Sequence, residues 1–179
     1  YLTYMFMVIF AAPFLPKADM VISTSPQFFA GFAGYFVSRI KRARWVLEIR
    51  DLWPESVVAV GAIKNKKLVS YAEALESFMY RKADAVVSVT DSFVAHISAR
   101  GVPESRIHVI KNGVDLAFYN FEVSRDAAAV DNRLEGKYVA AYVGTHGMAH
   151  ALHTVLEAAN ILKERSDIVF LMVGDGAEK

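Results

Sequence analysis

Along the first 112 residues, short apolar runs that suit strands alternate with stretches of helical period. Asp19-Met-Val-Ile22 stops at Ser23-Thr-Ser-Pro26, where Ser25 is expected to cap a helix and Pro26 to take its first position. That helix is predicted to reach about Ile40. Trp45-Val-Leu-Glu-Ile49 is the next predicted strand and runs into Arg50-Asp-Leu-Trp-Pro-Glu55. Leu68, Val69, Ala72, Leu75, Phe78 and Met79 then recur at steps of three and four, the spacing of an amphipathic helix, with Glu73, Glu76 and Lys82 assigned to the other face. Ala85-Val-Val-Ser-Val89 reads as a strand ending at Thr90-Asp-Ser92, which is expected to cap a helix to Arg100, with Gly101 as its stop. Arg106-Ile-His-Val-Ile110 is one more strand. Strands separated by such helices predict a parallel, doubly wound α/β sheet with ligands at the strand C-termini.

After Asn112-Gly113 the rhythm changes. Residues 113–136 have no clear period, are polar and acidic, and are expected to form a connector. A second unit follows, with a strand at Tyr138–Val143, a tight loop at Gly144-Thr-His-Gly147, a helix from His150 to Arg165 and a strand at Asp167–Val173. This is one βαβ unit of a second Rossmann-like domain. The expected organisation is therefore 1–112, a linker at 113–136, and 137–179.

The chain has 179 residues, 54% hydrophobic and 22% charged, enough apolar material for a sizeable core. Without cysteine it has no disulfide, thiolate metal site or cysteine nucleophile. The net charge of +1 is too balanced for a chain built to coat nucleic acid, yet it hides an asymmetry. Residues 1–112 carry 14 basic and 9 acidic side chains, residues 113–179 carry 6 and 10. The opening run Tyr1–Leu15 is uncharged, but 15 helical residues rise only about 22 Å, short of the roughly 30 Å of a hydrocarbon core, and Pro13 interrupts the last turn. A buried or membrane-surface helix suits it better than a span. The chain opens on Tyr1 inside this apolar run and closes on Gly174–Lys179 directly after a strand-like run, so it reads as the interior of a longer protein.

Candidate chemistry sits in the loops after the strands. Gly144-Thr-His-Gly147 suits a phosphate held by backbone N–H groups at a helix start, and equally suits a turn that merely needs glycine. His146 is a possible phosphate donor or simply a solvated loop residue. His150 and His153 share a predicted helix, but no carboxylate completes a metal triad with them. Arg50-Asp-Leu-Trp-Pro-Glu55 concentrates a guanidinium, two carboxylates and an indole behind a buried strand. Read from composition, it is a substrate loop or a local Arg50–Asp51 or Arg50–Glu55 ion pair with Trp53 as core filler. The basic cluster Arg39, Lys41, Arg42 and Arg44 follows Phe28, Phe29, Phe32, Tyr35 and Phe36, whose spacing fits an inward helix face. The cluster suits contact with anionic lipid or a solvated helix end.

Five segments in order resemble family-4 glycosyltransferases of the GT-B fold: Trp45–Ser56, Ala83–Thr90, Val109–Asp115, Tyr142–Met148 and Val173–Gly176. The Arg-Asp-Leu-Trp-Pro-Glu run is similar to bacterial members that build O-antigen, capsule or colanic-acid-type polysaccharides. The resemblance implies two Rossmann-like domains, both incomplete in this chain, with the acceptor held by the first and a nucleotide-diphosphate sugar by the second. It implies transfer with retention at the anomeric carbon to a saccharide or polyprenyl-linked acceptor. No cofactor, metal or nucleic acid partner is expected, and the sequence has no Asp-x-Asp pair. The implied location is cytoplasmic, peripheral to the inner face of the cell membrane. On this resemblance Arg50 stands where relatives place a catalytic histidine. Since a guanidinium cannot act as a base, its expected task is to steady charge, with Asp51 or Glu55 contacting hydroxyls. Gly144, Thr145, His146 and Gly147 match the donor-phosphate loop, with His146 and His150 where relatives often carry Arg or Lys. A glycine-rich loop is expected before Tyr1 and a pair of donor-holding glutamates after Lys179. Two other classes of protein stand beside this resemblance. A nucleotide-sugar epimerase needs the glycine fingerprint and a Tyr-x-x-x-Lys pair, and the chain shows neither. A membrane-associated, non-catalytic interaction module is the other.

Overall fold

A computed structural model describes residues 2–59, 61, 63–119 and 134–179. They form two compact units, 1–114 and 115–179. Much of the expected connector, residues 120–133, lies outside the described residues.

The first unit contains α1 (Leu2–Ala11), β1 (Met20–Ser25), α2 (Phe28–Lys41), β2 (Arg44–Ile49), α3 (Glu55–Ala59), α4 (Lys66–Lys82), β3 (Ala85–Ser88), α5 (Val94–Ala99) and β4 (Ile107–Val109). Its four strands are parallel and lie in the order β1-β2-β3-β4. The period-2 pattern of β2 explains the core. Trp45, Leu47 and Ile49 point to one face, where they join Val86 of β3 and are covered by Phe28 of α2, Met79 and Tyr80 of α4 and Ile97 of α5. Sequential parallel neighbours joined by right-handed crossovers place their helices on the same face. The expected double winding needs a reversal of strand order, and the described strands of this unit contain only one winding direction.

Local chemistry sets several boundaries. Asn65 caps α4, its side-chain oxygen accepting from the N–H groups of Lys67 and Leu68. Ser25, the expected cap of α2, is instead the last residue of β1. It pairs with Ile49, its carbonyl accepts from Arg50 N, and Gln27 occupies the N-cap position. The ladder claims Ser25 before the helix can. Thr90 does cap the turn that leads into α5, accepting from Ser92 N, and Gly101 follows α5 at φ +86°. Glu76, placed by periodicity on the polar face of α4, is buried. Apart from Met5, α1 has no buried residue, and no described helix is long and apolar enough to cross a membrane.

In the second unit, β5 (Tyr138–Val143) and β6 (Ile168–Val173) pair in parallel over six residues each. The helix expected from His150 to Arg165 is shorter and split. A 3-10 turn covers Met148–His150, Ala151 adopts a left-handed conformation at φ 48°, and α6 spans Leu152–Ile161. His150 and His153 are therefore not on one helix.

Candidate active site

Parallel strands bring their C-terminal ends to one sheet edge. In the first unit that edge carries Arg50–Glu55 after β2, Thr90–Ser92 after β3 and Lys111–Asn112 after β4. Staggered backbone bonds lock it: Arg50 N donates to Ser25 O (3.1 Å), Val89 N to Ile49 O (3.3 Å) and Ile110 N to Ser88 O (2.8 Å). Arg50 is exposed and its Nη2 donates to Asn112 Oδ1 (3.3 Å). Lys111 pairs with Asp91 at 2.7 Å, and that ammonium holds the Asp91 carboxyl below its ordinary range. Asp51 is half-buried. Trp53 packs its ring 4.1 Å from that of Phe28. Among the described residues no ion pair joins Arg50 to Asp51 or Glu55, so the local pairing considered from composition is absent. Glu55 instead meets His96, its Oε2 lying 3.2 Å from His96 Nδ1.

Behind that contact lies a polar cluster that sequence reading missed. Glu76 Oε1 accepts from Tyr80 Oη (2.8 Å) and lies 3.5 Å from His96 Nε2, while Oε2 accepts from Arg100 Nε (2.5 Å). An isolated buried carboxylate costs several kcal/mol, and these donors offset it. Burial, reinforced by the Glu76 charge, pushes the Tyr80 hydroxyl pKa far up, so this group stays a proton donor. A signal was present in the sequence: Glu76 and Tyr80 are an i,i+4 pair on one predicted helix, and His96 and Arg100 have the same spacing.

The second unit presents Gly144–Gly147 after β5 against the loop after β6. Gly144 N donates to Val173 O (2.9 Å), His146 N to Asp175 O (2.9 Å) and Glu178 N to His146 O (3.0 Å). Two glycines allow this approach. A Cβ on Gly174 would fall 1.8 Å from Gly144 O, and one on Gly176 would fall 2.3 Å from His146 O. Tyr142 Oη donates to Thr145 O (2.8 Å), holding the turn from outside. His146 is only 8% exposed, and its Nε2 has no hydrogen-bond partner among the described residues. A buried nitrogen left in that state is destabilising by about 1–3 kcal/mol.

A concavity of about 540 Å³ lies between α1, β1 and α2, lined by Tyr4, Val8, Val21, Ile22, Ala33 and Val37 among others. It contains no charged side chain and so does not suit a diphosphate.

Residues 4–113 match the glycosyl transferase 4-like domain model. The chain belongs to the glycosyl transferase 4-like family. It is 30% identical over 138 residues to the probable glycosyltransferase WbjE of Pseudomonas aeruginosa, a match covering 75% of this chain and 34% of that protein. Its fold is similar to that of Anabaena Alr3699/HepE in complex with UDP and glucose, with a TM-score of 0.69 at 16% identity over 97% of this chain and 43% of that one. The same protein in complex with UDP-glucose gives 0.68 at 17% identity, covering 96% and 43%. The chain thus spans 34% of WbjE and 43% of this HepE structure. The α/β architecture with parallel sheets is that of a GT-B glycosyltransferase, as the sequence motifs imply.

Proposed function

We propose that the protein is a retaining glycosyltransferase that moves a sugar from a nucleotide-diphosphate donor to a saccharide or polyprenyl-linked acceptor in cell-surface polysaccharide synthesis. The observation that carries this reading is the family match over residues 4–113, which contains the loop Arg50–Glu55 at the C-terminal edge of the sheet. The similarity to HepE, which binds UDP and UDP-glucose, supports a nucleotide-sugar donor.

The roles follow from chemistry. The backbone N–H groups of Thr145 and Gly147, which the loop's own hydrogen bonds leave unused, receive the donor diphosphate with the His146 side chain beside them, because such groups stabilise an anion where glycine permits close approach. Arg50, exposed and bonded through its side chain to Asn112 among the described residues, steadies negative charge developing on a reacting group of the substrate. Asp51 contacts a sugar or acceptor hydroxyl. No metal enters the scheme. For a lipid-linked acceptor, the basic cluster Arg39, Lys41, Arg42 and Arg44, of which Lys41 donates to Leu15 O, and the exposed apolar residues of α1 support contact with an anionic cytoplasmic membrane face.

The test is donor turnover by the complete protein with UDP- and GDP-sugars, with product anomer read by NMR and chelator present. Transfer with retention, insensitive to chelator, is expected. Inversion at the anomeric carbon, loss of turnover with chelator, or absence of transfer from any nucleotide sugar overturns the corresponding part.

A further inference from the structure

The Arg50–Glu55 segment is anchored in its middle by buried Pro54 and by Leu52 and Trp53 against the core, while its downstream end has less to hold it. α3 is five residues long, has no buried residue and is too short to be stable as an isolated helix. Upstream, Trp53 stacks near Phe28 and Arg50 reaches Asn112. Downstream, the tie is Glu55, whose carboxylate meets His96 Nδ1.

His96 is itself gripped from behind. Its side chain is 15% exposed, and Nε2 faces Glu76 Oε1, whose side chain is 2% exposed and is held in turn by Tyr80 and Arg100. Three elements thus converge, with Glu55 from α3, Glu76 and Tyr80 from α4, and His96 from α5 with Arg100 at its C-terminal cap. Carboxylates only accept hydrogen bonds, so the imidazolium form of the ring donates to both and the neutral form, with a single N–H, to one of them; in either form, rotation of the ring gives up a contact. The arrangement resembles the second-layer carboxylate–histidine pairs that orient reacting groups elsewhere, built here from a buried, immobile carboxylate outward to an exposed one.

We propose that His96 is a positioning residue. It fixes the Arg50–Glu55 segment by holding Glu55, and it draws its own rigidity from the Glu76–Arg100–Tyr80 cluster. Its catalytic consequence rests on the reading of Arg50 and Asp51 as substrate-facing; the mechanical coupling does not.

Amide hydrogen exchange on the full 179-residue chain tests the coupling without any activity. The reporters are Ser56 and Val58, whose N–H groups donate to Leu52 O (2.8 Å) and Pro54 O (3.0 Å). Glu55→Ala and His96→Ala are each expected to speed exchange there about tenfold, the scale of one charge-assisted hydrogen bond. Amides of Met79 and Tyr80 in α4 should keep their rates. Glu55 also sits in the first turn of α3, where any acid helps, so the decisive readout is the double variant. It should exchange no faster than Glu55→Ala alone. Additive acceleration, or unchanged rates in Glu55→Ala, overturns the proposal. If His96→Ala also loosens α4, the less disruptive His96→Gln takes its place in the same cycle. In the complete enzyme both single variants should lower kcat with donor KM within about twofold. Coupling observed in a protein that transfers no sugar refutes the glycosyltransferase reading and leaves the coupling standing. Transfer unaffected by loss of the coupling refutes the positioning role.

Discussion

Two glycines three residues apart on α2 should respond to the same substitution with opposite sign. At Gly31 an added Cβ would lie 3.6 Å from Leu47 Cδ1 and 3.7 Å from Met79 Sδ, ordinary contacts. At Gly34 it would lie 2.3 Å from Ser23 Oγ, 2.6 Å from Ser23 Cβ and 2.7 Å from Trp45 Nε1. Alanine in a helix interior is favoured over glycine by up to about 1 kcal/mol, so Gly31→Ala should stabilise by roughly that amount. Gly34→Ala gains the same propensity but forces α2 off β1 and β2. Overpacking of this kind costs about 1–3 kcal/mol. It also separates Trp45 Nε1 from Ser23 Oγ, now 2.8 Å apart, leaving a buried N–H at a further cost of about 1–3 kcal/mol. The net is a loss of about 3 kcal/mol. Both tryptophans, Trp45 and Trp53, lie in the first unit, so urea unfolding followed by tryptophan fluorescence reports that unit alone. Ser23→Gly removes both atoms that Gly34→Ala strikes first, so the double variant should recover part of the loss, a non-additive result. Gly34→Ala as stable as the parent, or Gly31→Ala and Gly34→Ala shifting together, would refute the close approach of α2 to the sheet.

Asp51→Asn should cut sugar transfer by the complete protein while leaving the melting temperature within a few degrees, because a loop carboxylate serves chemistry more than packing; a large stability loss with full turnover would contradict this. Gly176→Ala should weaken UDP binding at least tenfold in calorimetric titration by pushing the His146 loop aside, since its Cβ would meet His146 O at 2.3 Å. Arg100→Ala should destabilise the first unit by about 3–5 kcal/mol by stranding the Glu76 charge, whereas Tyr80→Phe should cost about 1 kcal/mol; equal effects in urea unfolding would contradict the arrangement. Asp167, bonded twice by Arg165, should titrate at about 2 when followed by carboxyl NMR. Because that value is lowered on folding, its contribution to stability is complete above about pH 4 and disappears as pH falls through about 2.

Much of the frame is written locally. The alternation of Trp45, Leu47 and Ile49 is a strand's signature wherever it occurs, and the three- and four-residue steps from Leu68 to Met79 close one face of a helix without reference to anything else. The loops after the strands, including Arg50–Glu55 and Gly144–Gly147, follow once those elements are known, because parallel strands must all end at one edge. What the chain could not announce depends on partners distant in sequence. Glu76 sits by period on the polar side of α4, and only the arrival of His96 and Arg100 on another helix, 20 and 24 residues later, makes its burial tolerable. Ser25 has the chemistry of a helix cap, but Ile49 and Arg50 recruit it into the sheet. Gly34 and Gly176 look like any other glycines until Ser23 and His146 come within 2.3 Å of where their side chains would begin. Secondary structure follows from spacing a few residues wide. Charge burial, backbone approach and the choice of Glu55's partner are decided by surfaces that do not exist until the elements meet.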